Sequence, residues 1–241
     1  MKLSAFLKKL ATVYLVFIHV LIAILLIKTN FFLLAGKTLG VTPAEEFHAQ
    51  LYQNLFEKTE AFRRAVDTKV ILIGDSLSTK IPAEALPENT LNLAIGGLTT
   101  KGAERLIGTI APVDQGVSYI VELGVNDLKY RQPSIVVRDI QELVAVLSET
   151  SKVTLIGLLP VDMKNAKVQE RAYLKNMTFR QINAELSAFC NSLTQCSFLD
   201  TQFLADEKGN LREEYSVADG WHLSFMGASI LGAEIQKALN F

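Results

Sequence analysis

Four short groups of residues in this chain of 241 have the types and spacing of a site for nucleophilic attack on an acyl group. The first is Gly74-Asp75-Ser76-Leu77, directly after the apolar run Val70-Ile71-Leu72-Ile73. A serine at the exit of a buried strand is exposed yet rigidly held, as a nucleophile must be, and glycine lets the chain leave the strand sharply. A serine also needs a base. Of the three histidines, His19 lies in an apolar N-terminal run and His48 in a helical segment, which leaves His222 in Asp219-Gly220-Trp221-His222. Asp219 stands three residues ahead of it. One tight turn then brings the carboxylate to the Nδ1 side of the ring, fixes the tautomer and leaves Nε2 to take the serine proton. Donors for a tetrahedral oxyanion are offered by the backbone N–H of Gly97, in Asn92-Leu93-Ala94-Ile95-Gly96-Gly97, and by the side chain of Asn126, in Gly124-Val125-Asn126-Asp127. The Ser76 N–H makes a third.

Each group alone has a plainer reading. Gly-Asp-Ser suits a turn with a helix cap, and Asp219 suits the cap of a helix starting near Leu223, with His222 an ordinary surface residue. Gly-Gly and Gly-x-Asn-Asp are common turn sequences. Asp219 and His222 would also begin a metal site, but no further His and no Cys cluster completes one, so no metal is expected.

The elements that must position these residues are legible as short apolar runs: Val70-Ile73, Leu91-Leu93, Tyr119-Leu123, Val153-Ile156 and Ser197-Leu199. Helical stretches lie between or after them at about 99–110, 134–149, 170–193 and 223–240. Strands alternating with helices of this length imply a parallel sheet covered on both faces, whose reactive residues gather at the carboxyl ends of strands. All four groups fall at such exits or immediately before the last helix.

As a set and in order, the four groups resemble the blocks of the SGNH (GDSL) hydrolases, over about residues 68–241. The resemblance implies a flavodoxin-like three-layer α/β/α sandwich with a five-stranded parallel sheet, ester hydrolysis and no cofactor. It implies Ser76 as nucleophile, Asp219 and His222 as the rest of a triad, and Ser76, Gly97 and Asn126 as the oxyanion hole. Gly97 is preferred to Gly96 because the Leu98-Thr99-Thr100 helix start follows it, as in the family. The Gly-x-Ser-x-Gly elbow of the α/β-hydrolases is absent.

Composition sets the surroundings. With 24 Lys+Arg against 25 Asp+Glu the net charge is -1, which gives no basic patch for nucleic acid. Half the residues are apolar, which excludes a disordered chain. The excess is concentrated in residues 10–27, a run of 18 without Asp, Glu, Lys or Arg. In a helix that nearly covers a hydrocarbon core of about 30 Å. Lys2, Lys8 and Lys9 precede it, so a single transmembrane helix would have its N-terminus in the cytoplasm and the remainder outside, in the periplasm. Residues 1–36 are thus expected to be a membrane anchor, in preference to a cleaved signal peptide, whose core is shorter. His19 within it reads as tolerated packing. Residues 37–67 are expected to be a juxtamembrane stalk, helical over 43–66, where Phe47, Leu51, Leu55, Phe62 and Val66 form a stripe suited to docking on the following domain. Residues 68–241 form the hydrolase domain.

Cys190 and Cys196 are placed to form a disulfide outside the cytoplasm, with two buried thiols as the alternative. Polar segments at 160–171 and 206–218 are expected to cover the site. Together with the envelope location they suggest O-acetyl esters of a polysaccharide or cell-wall sugar as substrate, ahead of lipid or other short-chain acyl esters. Acyl transfer by the same triad is the alternative reaction, and a non-catalytic envelope scaffold a third reading that the intact Ser76, Asp219 and His222 disfavour.

Overall fold

The structure is a computed structural model and describes residues 12–22, 24, 49–65, 67–110 and 116–239. The chain divides into two units, residues 1–43 and 44–241. In the first, residues 12–22 and 24 are helical with exposed apolar side chains, and His19 Nδ1 donates within that helix to the Leu15 carbonyl at 2.7 Å. Among the described residues no helix is long and apolar enough to cross a membrane. The rest of the expected span, and His48, lie outside the described residues.

The second unit is built on five parallel strands: β1 (Val70–Gly74), β2 (Thr90–Asn92), β3 (Ser118–Glu122), β4 (Val153–Ile156) and β5 (Cys196–Leu199). Their spatial order is β2-β1-β3-β4-β5. β1 is buried on both faces, which is why it reads as an unbroken apolar run and not as an alternation. Ile71 and Ile73 face one core with Tyr119, Val121 and Leu155. Val70 and Leu72 face the other with Ile120 and Ile156.

Helices cover both faces. On the first lie α1 (Ala49–Arg64), α2 (Thr100–Ile110), α3 (Pro133–Ser148) and α5 (Asn176–Cys190), and on the second α6 (Phe225–Leu239). In α3, Val136, Ile140, Leu143, Val144 and Leu147 are buried, the spacing of one helical face. α1 is docked on the sheet, as its apolar stripe implies. Leu55 and Phe62 pack on the first core, Thr59 and Thr109 hydroxyls meet at 3.1 Å, and Lys58 Nζ donates to the Asn92 carbonyl at 2.9 Å. The helix expected from residue 170 begins only at Asn176, because the preceding polar segment forms turns and the short α4 (Ala166–Gln169), capped by the Asn165 side chain accepting from Lys167 N–H.

Cys190 closes α5 and Cys196 opens β5, and the two are joined in a disulfide with Cα atoms 5.1 Å apart. The loop they close is short, so reduction is expected to lower stability by only about 2 kcal/mol. Chemical denaturation with and without reductant measures this; coincident midpoints would show that the bond contributes nothing.

A second tie holds the loop after β3. Buried Asp127 accepts from Thr100 N–H at 3.0 Å and from Thr100 Oγ at 2.7 Å. Buried Arg131 bonds Asp127, Asp139 and, at 2.6 Å, Thr100 Oγ1. The residue after Asn126 is thereby fastened to the start of α2, just beyond Gly97. Arg131→Met is expected to cost about 3–5 kcal/mol, because it leaves the Asp127 carboxylate buried without its cation. That is a fall in Tm of the order of 10 °C; a change below about 1 kcal/mol in denaturant titration would contradict the assignment.

Candidate active site

In a sheet of order 2-1-3-4-5 the chain turns away in opposite directions after β1 and β3, which opens a crevice at their carboxyl ends. Gly74-Asp75-Ser76 leaves β1 at that point and Leu123-Gly124-Val125-Asn126 leaves β3. Ser76 begins a run of turns, residues 76–80, held by Ser78 N–H to the Asp75 carbonyl at 3.2 Å. Its side chain is half-buried, with Oγ 2.9 Å from His222 Nε2.

His222 reaches Ser76 from the turn before α6, across 146 positions of sequence. His222 Nδ1 lies 2.6 Å from Asp219 Oδ2, and a carboxylate there requires the hydrogen on Nδ1, leaving Nε2 to accept from the serine. The other Asp219 oxygen accepts the backbone N–H groups of Trp221 and His222, both at 3.0 Å. Burial alone would push the Asp219 carboxyl up. The hydrogen bonds from the His222 ring, from His222 N–H and from Trp221 N–H outweigh it and hold the group below its ordinary range, which favours the ionised carboxylate beside His222. Asp219 therefore caps its own turn, whereas α6 is capped by Ser224, whose Oγ accepts from Gly227 N–H at 3.2 Å.

The turn is braced from the side. Gly220 sits at φ +82°, and a Cβ on it would come 2.6 Å from Asn165 Cβ. Asp162 N–H donates to the Gly220 carbonyl at 2.8 Å, and Asn165 Nδ2 to the Ala218 carbonyl at 3.3 Å. The polar segment expected over the site thus lies alongside the histidine turn and supports it. The Arg171 guanidinium lies 4.6 Å from the centre of the Trp221 ring.

The three expected oxyanion donors follow adjacent strands. Gly97 is exposed at φ +79° with open space where a Cβ would be, so glycine serves backbone conformation at this position. Among the described residues no hydrogen bond uses the Gly97 or Ser76 backbone N–H. The Asn126 side chain, expected as a donor, is engaged within the protein. Its Nδ2 donates to Asp75 Oδ2 at 2.9 Å and to the Leu98 carbonyl at 3.2 Å; an oxyanion bound there would have to take over one of these bonds. Asp75 and its neighbour Glu122 were not singled out by sequence reasoning. Both are buried, and their only sequence signal is an acidic residue inside or beside an apolar strand run. Among the described residues no group of three His, Cys, Asp or Glu side chains is arranged to hold a metal ion.

Residues 72–229 match the family described as GDSL-like Lipase/Acylhydrolase. Several solved structures share the fold. A Streptococcus pneumonia protein provisionally described as a platelet activating factor is 20% identical, with 78% of this chain and 92% of that one covered and a TM-score of 0.70. A GDSL-like lipase from Bacteroides thetaiotaomicron is 17% identical, covers 78% and 96%, and has a TM-score of 0.62. A variant of an acetylxylan esterase from Geobacillus stearothermophilus is 16% identical, covers 73% and 96%, and has a TM-score of 0.56. None of the curated proteins matches the chain. With two thirds of its length inside the family match and the five-stranded parallel fold to go with it, the chain belongs to the GDSL-like lipase/acylhydrolase family and is a hydrolase of ester bonds.

Proposed function

We propose that the chain is a serine esterase that removes short acyl groups, O-acetyl foremost, from envelope carbohydrate. The observation that carries this reading is the unbroken hydrogen-bonded series from Ser76 Oγ through His222 to Asp219. Ser76 Oγ attacks the ester carbonyl as His222 Nε2 takes its proton. Ser76 N–H, Gly97 N–H and Asn126 Nδ2 bind the oxyanion; loss of one such donor typically costs roughly 10²–10³ in rate. His222 then gives its proton to the leaving alcohol oxygen, and the acyl group stays on Ser76. Water, deprotonated by His222, attacks that ester, releases the acid and restores the serine.

Carbohydrate is favoured by the polar segment beside the histidine turn, by the half-buried Trp221 next to His222, and by the fold shared with an acetylxylan esterase. A second reading, lipid or other short-chain acyl esters, is favoured by Phe225 and Met226, which follow that turn with 74% and 54% of their surface exposed. We further propose that residues 1–36 anchor the enzyme in the cytoplasmic membrane with the catalytic domain in the periplasm. The 18-residue apolar run, the lysines ahead of it and the Cys190–Cys196 disulfide support that location.

The test is hydrolysis of a chromogenic acetate ester together with labelling by a fluorophosphonate. Hydrolysis is expected, with the label on the peptide that contains Ser76. Hydrolysis that survives complete labelling elsewhere would end the serine reading. Acetylated and unacetylated glycans supplied as donor and acceptor then separate hydrolysis from acyl transfer.

A further inference from the structure

Behind Ser76 and Asn126 stand two carboxyl groups that the hydrolytic steps do not use. Asp75 is 0% exposed and Glu122 2% exposed. They come together because β1 and β3 pair in parallel with Gly74 opposite Glu122. Asp75 Oδ1 accepts Leu77 N–H at 2.9 Å, and Oδ2 accepts Asn126 Nδ2 at 2.9 Å. Glu122 Oε2 accepts the Ser78 hydroxyl at 2.9 Å and the Asp75 N–H at 3.4 Å. Glu122 Oε2, bonded to the Asp75 N–H, thus lies in the same buried pocket as the Asp75 carboxyl.

Two neighbouring carboxyl groups buried without a counter-charge do not both ionise readily. Among the described residues no Lys, Arg or His pairs with either. The buried charges of the next loop, Asp127, Arg131 and Asp139, pair with one another. Lys58, across β2, donates to the Asn92 carbonyl, and His222 faces Ser76 and Asp219. Burial, and then the repulsion of Glu122, push the Asp75 carboxyl well above the usual range; burial pushes Glu122 up as well. Burial, proximity and the absence of a cation thus all favour one shared proton on the pair.

We propose that Asp75 and Glu122 form a proton-sharing pair that positions Asn126 for the oxyanion. Asp75 takes one hydrogen of the Asn126 amide and so fixes the nitrogen, while the second, given to the Leu98 carbonyl at 3.2 Å, is the one a substrate oxygen would take over. Glu122 holds Asp75 from the neighbouring strand. Sharing a proton also keeps a second negative charge from building up behind the oxyanion, where it would oppose the developing charge. Both are positioning residues acting through Asn126, and the proposal rests on the serine mechanism above.

Asp75→Asn is isosteric, yet its amide nitrogen cannot accept. A protonated carboxyl oxygen still can. Each Asp75 oxygen faces a donor, so the substitution sets donor against donor at Leu77 N or at Asn126 Nδ2. In the full chain, with a chromogenic acetate, Asp75→Asn is expected to lower kcat by roughly 10- to 100-fold and leave KM within about twofold. In an Asn126→Ala background the same change is expected to cost less than about threefold, since the group it acts through is gone. Multiplying effects would overturn the positioning role.

The proton is read separately, so the proposal stays open to test even if Asp75→Asn fails to fold. In the wild type, kcat is expected to fall on the alkaline side as the shared proton leaves. In Glu122→Gln an amide N–H replaces that proton, and the alkaline fall is expected to disappear. An alkaline fall equal in both, or absent from the wild type, would overturn proton sharing. Ser76→Ala in the same assay reads the underlying mechanism: if it is as active as wild type, the serine reading fails, whereas an inactive Ser76→Ala with multiplying Asp75 and Asn126 effects defeats only the positioning.

Discussion

Ser76→Ala is expected to lower kcat for a chromogenic acetate ester by roughly 10⁴–10⁶-fold while leaving the thermal midpoint within a few degrees of wild type. The catalytic loss is large because, in the proposed mechanism, the Ser76 oxygen is the atom to which the acyl group is transferred. Without it only the oxyanion donors and substrate binding remain, and these give a residual acceleration of about 10³–10⁴ over water. The structural loss is small because the hydroxyl is half-buried and its partner is the ring nitrogen of His222, which can turn to solvent. Activity retained within tenfold, measured on protein shown to be folded by circular dichroism, would remove Ser76 from the mechanism.

Asp219→Asn is expected to cost roughly 10⁴-fold in kcat, an effect of hydrogen placement rather than of shape. In the wild type one Asp219 oxygen takes the backbone N–H groups of Trp221 and His222, and the other takes the Nδ1 hydrogen. The asparagine carbonyl can keep the two backbone bonds, so the turn survives. Its nitrogen, however, then donates to Nδ1 and drives the ring to the opposite tautomer, with the hydrogen on Nε2 facing Ser76. A protonated Nε2 cannot remove the serine proton. The wild-type carboxyl is held below its ordinary range by those same bonds, so it stays charged as the medium is acidified and loses its contribution only below the normal carboxylate range. The measurement is steady-state kcat against pH for both proteins, with NMR of the imidazole N–H protons to read the tautomer. A variant with nearly wild-type kcat would show that Asp219 serves only the turn.

These two expectations, and the positioning of Asn126, differ in how far they could be read from order of residues alone. Asp219 and His222 are three positions apart, so a single turn settles their meeting and the sequence carries it. Ser76 and Asn126 each follow an apolar run, and the strand-exit rule places them on one rim without any knowledge of the neighbours. The strands and the five long helices are likewise short-range matters of periodicity, with their ends shifted by a few residues. The late start of α5 reflects the turns between the end of α4 and Asn176, which helical periodicity does not reveal.

What spans long distances was not legible. Glu122 sits in the run Tyr119-Leu123 like any strand residue, and only the parallel register of β1 with β3 sets it against Asp75. The same register brings the Asn126 amide, 51 positions away, onto the Asp75 carboxyl. The docking of α1 through Thr59 and Lys58 and the Arg131 tie from the Asn126 loop to α2 also depend on which elements become neighbours. Sequence order alone therefore establishes the chemistry available, a serine, an oriented histidine and backbone donors at strand ends. The tertiary structure decides which hydrogens those groups keep, because burial and strand pairing bring together partners that no spacing rule can connect.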